Sequence, residues 1–139
     1  HFRTFYNVDG VHLVKDASYE VMANSDFALV TSGTATLETG LFGTPMVVVY
    51  KTSWPTYVLG RLLIRLKNIG LVNIVAGKQI VPEFIQHRAS APTMAREVIR
   101  LLQNGDLLAS MKQELQSVKG RLGEFGASHR VAQCILQIV

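Results

Sequence analysis

The stretch "DFALVTSGTATLETGLFGTPMVVVY", residues 26–50, constrains the fold more than any other part of the chain. A β-rich apolar run, "FALVTS", breaks at Gly33, and a short helical pattern, "TATLETGLF", follows it. That helix stops at Gly43 with Pro45 just beyond, the usual stop signal. "MVVVY" is the clearest strand, apolar on both faces, as expected of a central parallel strand covered by helices. The free N–H groups that open a helix after such a strand point past the strand end and suit an anion. After the Asp26 that opens the stretch, Glu38 is the one charged residue in it, five residues after Gly33. A carboxylate there is not placed to bind phosphate; a sugar diol beside the phosphate is the natural partner.

The remaining chain is read in the same terms. "FRTFYN" is an edge strand, "VHLV" (Val11 to Val14) a short buried one, and "ASYEVMANS" a helix with Val21 and Met22 facing inward. "TYVLGRLLIRLKN" is a helix, "IGLVNIVAG" a strand or extended turn, and "PEFIQ" a helical turn at most. "SAPTMAREVIRLLQNG" is a helix with Ser90 as N-cap, Pro92 in its first turn and Gly105 at its end. "DLLASMKQELQSVKGRLG" is a long amphipathic helix, and Ser128 caps a last one, "HRVAQCILQIV", with Cys134 in the core. Strands alternating with helices give an α/β domain with a parallel sheet, and the right-handed crossover rule makes it doubly wound.

At 139 residues this is one domain, able to bury an ordinary core, with no repeat or linker dividing it. It is 48% hydrophobic and 17% charged, so it is not a disordered chain. The net charge of +4 is spread along the length, which suits anionic ligands or lipid headgroups and is too diffuse to argue for nucleic acid. The lone Cys134 excludes an internal disulfide and fits a reducing compartment. No apolar stretch reaches the roughly 18 residues of a membrane span. His1, His12, His87 and His129 are scattered without a metal-ligand spacing, so no metal or cofactor is expected. The chain opens on strand-like sequence without an initiator methionine, which suggests a piece of a longer protein.

In parallel sheets, ligands bind beyond the carboxyl ends of the strands. Ser32, Gly33 and Thr34 lie there, as do Val14-Lys15, Tyr50-Lys51 and Asn73, four loops converging on one edge. Each residue also has a plainer reading. Ser32 to Thr34 could be a simple strand-to-helix turn, Glu38 a solvated helix residue, and Asn73 a loop former. Against the plain reading of Glu38, Leu37, Leu41 and Phe42 look core-facing, and no basic residue lies four positions away.

"SDFALVTSGTATLETGLFGTPMVVVYK", with "LVNIVAGKQIVPEFIQ" and the tail "GASHRVAQCILQIV", resembles the nucleotide-binding half of the lipid-A-disaccharide synthase family, GT-B glycosyltransferases. The resemblance covers essentially the whole chain; it departs at Leu71-Val72, where the family usually has a proline before the asparagine. It implies a Rossmann-like C-terminal half: residues 1–139 as a single UDP-sugar-binding domain of a longer two-domain enzyme. That enzyme would be a hexosyltransferase moving 2,3-diacylglucosamine from UDP to 2,3-diacylglucosamine 1-phosphate (lipid X), by an inverting, metal-independent reaction. In this family the general base belongs to the N-terminal domain, so no catalytic residue is expected here and the piece alone would be inactive. Glu38 would accept hydrogen bonds from the ribose, Ser32, Gly33 and Thr34 would hold the diphosphate, uracil would lie near Leu13 and Val14, and Asn73 would orient the donor.

Two rival readings stand beside it: an epimerase or another GT-B enzyme, and a non-catalytic nucleotide-binding module. The partners implied are UDP-2,3-diacylglucosamine, lipid X, the N-terminal domain and an anionic membrane surface, with no nucleic acid. The expected location is cytoplasmic, peripheral on the inner face of the bacterial inner membrane. Trp54 and Tyr57 with Arg61, Arg65 and Lys67 form the expected lipid-facing helix. The last helix carries an apolar stripe (Val131, Ile135, Ile138, with Leu136 and Val139) that the chain should fold onto its own sheet or exchange to make a homodimer.

Overall fold

The computed structural model describes residues 10–57, 68–123 and 126–137. The expected first strand "FRTFYN", the basic half of the lipid-facing helix (Arg61, Arg65, Lys67), and Ile138 and Val139 lie outside these residues. Helix α1 (Ser18–Asn24) leads to β1 (Ala28–Thr31), α2 (Thr34–Leu41) and β2 (Met46–Tyr50). Residues 54–57 are helical. Then come α3 (Leu71–Ala76), β3 (Glu83–Ile85), a 3-10 turn (Gln86–Arg88), α4 (Ala91–Leu102), α5 (Gly105–Arg121) and α6 (Ala127–Leu136).

The three strands form a parallel sheet in the order β1-β2-β3. Ala28 pairs with Met46 and Thr31 with Val49; on the other side of β2, Val48 pairs with Glu83 and Tyr50 with Ile85. The result is the mixed α/β, Rossmann-like arrangement the alternating elements predict. Met46, Val47 and Val48 are almost fully buried, the mark of a strand covered on both faces.

Successive residues of a strand face opposite ways, so Val30, Met46, Val48 and Glu83 share one face. Against that face packs a layer of helices. Helix α5 contributes Met111, Leu115 and Val118, spaced four and three apart on one stripe. Helix α2 presents Thr36, Thr39 and Gly40. A Cβ at Gly40 would lie 3.0 Å from Val72 Cγ2 and 3.5 Å from Leu115 Cδ2, so a residue without one is what lets α2, α3 and α5 approach closely. The two threonine hydroxyls donate back to Gly33 O and Ala35 O at 2.8 Å each, so their burial strands no polar group.

Helix ends follow their sequence signals. Asn104 Oδ1 accepts from Leu107 N at 3.1 Å to cap α5, with Asp106 in its first turn and Lys119 and Arg121 in its last. Arg121 Nη1 donates to Ala76 O at 2.9 Å and satisfies the end of α3, where Gly77 turns left-handed at φ 71.

Several expectations are corrected. "VHLV" forms no strand; Val11, Leu13 and Val14 are exposed. Helix α1 exists but buries nothing: Val21 is exposed and Met22 half-buried, and α1 is tied down by Thr44 Oγ1 donating to Met22 O at 2.6 Å. "LVNIVA" is helix, not strand, and "EFI" is strand, not helical turn. Gly105 opens α5 instead of closing α4, which ends at Leu102. Ser90 does flank α4, although its hydroxyl bonds Thr93 Oγ1 at 2.8 Å and no backbone N–H. Gly126, left-handed at φ 94, precedes α6, and Ser128 lies inside that helix. Leu41 and Phe42 are exposed, and Cys134 is exposed where a core position was expected.

Candidate functional site

The carboxyl ends of β1, β2 and β3 open into three neighbouring turns. After β1, Ser32 N donates to Val49 O at 2.9 Å and carries the ladder one residue past the strand. Gly33 then sits at φ 152, ψ −163, a conformation that disfavours a side chain. Helix α2 begins at once. Thr36 N donates to Gly33 O at 3.2 Å, while the N–H groups of Gly33, Thr34 and Ala35 bond to no acceptor among the described residues. Three free donors at the positive end of a helix, just past a strand, favour an anion.

Glu38 lies four residues after Thr34, on the same side of α2, half-buried. Its carboxylate makes no hydrogen bond or ion pair among the described residues. Leu13 and Val14 are exposed and belong to no element, and no hydrogen bond joins them to the Ser32–Thr34 turn among the described residues.

Asn73 is elsewhere: fully buried in α3. Its Nδ2 donates to Val81 O at 2.9 Å and to Glu83 Oε1 at 2.7 Å. Its Oδ1 accepts from Ile80 N at 2.8 Å and Val81 N at 3.0 Å. Both ends of the amide are therefore fully used within the fold.

Sequence reasoning missed Glu83. Its side chain is buried against the base of α3, where Oε2 accepts from Ile69 N at 2.9 Å and Oε1 from Gly70 N at 3.0 Å. No cation pairs with it among the described residues; three N–H donors and the start of α3 supply the compensation. The same segment reaches the turn after β1, since Ser32 Oγ donates to Ile69 O at 3.1 Å. A chain of bonds thus runs from Asn73 through Glu83 and Ile69 to Ser32. An acid beside the apolar "FI" of a short strand was the available signal.

Gln86 was also missed. It follows β3 at φ 51, left-handed for a residue with a side chain. Its Oε1 accepts from Thr52 N at 2.8 Å and its Nε2 donates to Thr52 O at 3.0 Å, which grips the turn after β2.

A separate open groove of about 470 Å³ is lined by Lys78, Ile80, Arg88, Arg100, Met111 and Glu114, among others, and by no residue of the Ser32–Thr34 turn. Among the described residues no three His, Cys, Asp or Glu side chains are grouped to hold a metal ion, and no helix is long and apolar enough to cross a membrane.

A synthase of lipid-A disaccharide from Syntrophus aciditrophicus (strain SB) is 45% identical over 130 residues, covering 94% of this chain and 34% of the relative. One from Anaeromyxobacter dehalogenans (strain 2CP-C) is 50% identical over 131 residues, covering 93% and 34%. One from Sulfurihydrogenibium sp. (strain YO3AOP1) is 40% identical over 121 residues, covering 87% and 31%. The chain thus spans about a third of the length of the curated relatives it matches. The family model described as lipid-A-disaccharide synthetase matches residues 4–139, through the glycine turn, the Glu83 lock and the last helix alike, and the chain belongs to that family.

Proposed function

We propose that this chain is the donor-binding part of a glycosyltransferase of lipid A biosynthesis, a hexosyltransferase that takes 2,3-diacylglucosamine from UDP. The acceptor is 2,3-diacylglucosamine 1-phosphate, and the general base lies in a further domain of the longer enzyme. The observation that carries this reading is the turn after β1: free N–H groups on Gly33, Thr34 and Ala35, with the unpaired Glu38 carboxylate one turn along the same helix. The N–H groups hold the diphosphate. Negative charge grows on it as the glycosidic bond breaks, and donors fixed in advance stabilise that charge more in the transition state than in the ground state. Glu38 accepts from the ribose hydroxyls. Uracil lies against the backbone of Leu13 and Val14, which no regular element occupies. Asn73 acts indirectly, by holding Glu83 and through it the segment that Ser32 bonds. Because both sugars are acylated, the enzyme works at a membrane surface as a peripheral protein.

Calorimetry tests the site. UDP should bind the unmutated chain, and Glu38→Ala should weaken it by about 1–3 kcal/mol, the usual cost of leaving hydrogen-bonding partners unmatched. Equal affinity for UDP and its 2′,3′-dideoxyribose analogue would remove the ribose role of Glu38.

A further inference from the structure

The turn after β2 contains a cation the function above leaves unused. Lys51 is exposed and makes no ion pair among the described residues. Thr31 and Val49 are paired across the β1–β2 ladder. Gly33 and Lys51 each lie two residues beyond that pair, so they leave the sheet side by side, on strands about 4.8 Å apart. A lysine at that place is within reach of an anion held by the N–H groups of Gly33 and Thr34.

What fixes the turn is Gln86. Only two described residues other than glycine have positive φ, and one of them, Asp16, lies in the exposed segment before α1. The other is Gln86, and its left-handed backbone comes with an amide that bonds both the N–H and the C=O of Thr52, the residue after Lys51. An unfavourable backbone conformation that is kept, and whose side chain grips a loop at the ligand edge, points from strain to function. Those two bonds tie the chain beyond the last β2–β3 pair, Tyr50 with Ile85, using a side chain in place of a strand. They remove the freedom of the Lys51–Ser53 turn on the side away from β1.

We infer that Gln86 is a positioning residue that clamps the turn after β2, so that Lys51 contributes a cationic contact to the diphosphate of the nucleotide. The inference rests on the donor-site reading above. It assigns the two residues distinct parts: Lys51 meets the ligand's charge, and Gln86 meets only Thr52. The coupling runs through one residue of backbone.

The experiment compares UDP with uridine, which lacks the diphosphate, on the unmutated chain and on Gln86→Gly, Lys51→Met, Lys51→Arg and the Gln86→Gly/Lys51→Met pair. Glycine at 86 is chosen because it relieves the left-handed strain while deleting the clamp, and exposed Lys51 can be changed without disturbing the fold. Gln86→Gly and Lys51→Met should each weaken UDP by about tenfold, the size of one charge-assisted hydrogen bond, and leave uridine unchanged. The double variant should be no weaker than Lys51→Met alone, and Lys51→Arg should bind UDP as the unmutated chain does. Gln86→Gly that binds UDP normally, or that loses UDP and uridine alike, overturns the inference while leaving the donor site standing. An unmutated chain that binds no UDP overturns the donor-site reading, and this inference with it.

Discussion

The side-chain amide of Asn73, in α3, donates to the Glu83 carboxylate, in β3, at 2.7 Å, and both groups are buried. Removing Asn73 takes one of three donors from Glu83, and removing Glu83 takes one of two acceptors from the Asn73 amide. Asn73→Ala strands Val81 O and the N–H groups of Ile80 and Val81 as well as one Glu83 contact. It should destabilise the chain by about 2–4 kcal/mol, measured by urea denaturation at constant m-value. A loss below that of an ordinary surface substitution would mean that water replaces the amide.

Two glycines should respond to alanine with opposite signs. A Cβ at Gly70 would lie 3.1 Å from Val48 Cγ2 and 3.3 Å from Glu83 Oε1, so Gly70→Ala makes these packed side chains give by a few tenths of an ångström and should cost about 1–3 kcal/mol. At Gly120, inside α5, a Cβ meets nothing within 4 Å, and Gly120→Ala should stabilise by about 0.5–1 kcal/mol. Thermal unfolding of the two variants beside the unmutated chain checks both, and shifts of the same sign would contradict the close approach at Gly70.

Helix α6 should react to concentration. Val131, Ile135 and Leu136 are exposed along it, with Leu136 at 77%, and Cys134 is exposed beside them. An apolar stripe of this kind drives association. Light scattering should show a dimer that Ile135→Glu with Val131→Glu dissolves, and an aromatic disulfide reagent should label Cys134 faster in the dilute chain than in the concentrated one. Labelling at one rate across concentrations would place the association elsewhere.

The Glu97–Arg100 pair predicts a pH dependence of known sign. Arg100 donates from Nε and Nη2 to the two Glu97 oxygens at 2.8 and 2.6 Å. These bonds hold the Glu97 carboxyl below its ordinary value of 4.5, against a smaller opposing effect of burial. A carboxyl depressed in the folded chain stabilises above its unfolded value and loses that contribution as pH falls through the lowered one. The melting temperature of Glu97→Gln should therefore lie slightly below that of the unmutated chain at pH 7, approach it in added salt, and meet it once the pH has fallen below the lowered folded value.

The glycine turn and its flanking strand and helix were legible because each carries its own local signal: an apolar run, a glycine, a Gly-Thr-Pro stop. Where the reading failed, the decisive groups were distant in sequence. "LVNIVA" has the β-branched content of a strand, yet Asn73 bonds backbone near Val81 and Arg121 caps the far end, which makes it a helix. "PEFIQ" was disguised by its acid, since buried glutamates are rare and the N–H donors that compensate Glu83 come from residues 69, 70 and 73. The free N–H groups of the candidate site could be anticipated from the turn. The second layer behind it, Glu83 and Gln86, could not, because nothing in a three-residue strand says which loops its ends will hold.

That both of these residues sit at β3 sets an order of events. The β1–β2 pairing closes a short loop through α2, whereas Val48 must find Glu83 across roughly twice as much chain, a longer closure that costs about 0.6 kcal/mol more in entropy. Nearer pairings form before farther ones, other things equal. The first two strands and α2 can thus assemble with their turns still loose, and β3 then arrives at their side. Its arrival brings Glu83 under Ile69 and Gly70, and Gln86 against Thr52, in a single docking event. Under the proposed donor-site reading, refolding followed by nucleotide binding should accordingly lag behind refolding followed by helix content, because that edge takes its shape when β3 docks.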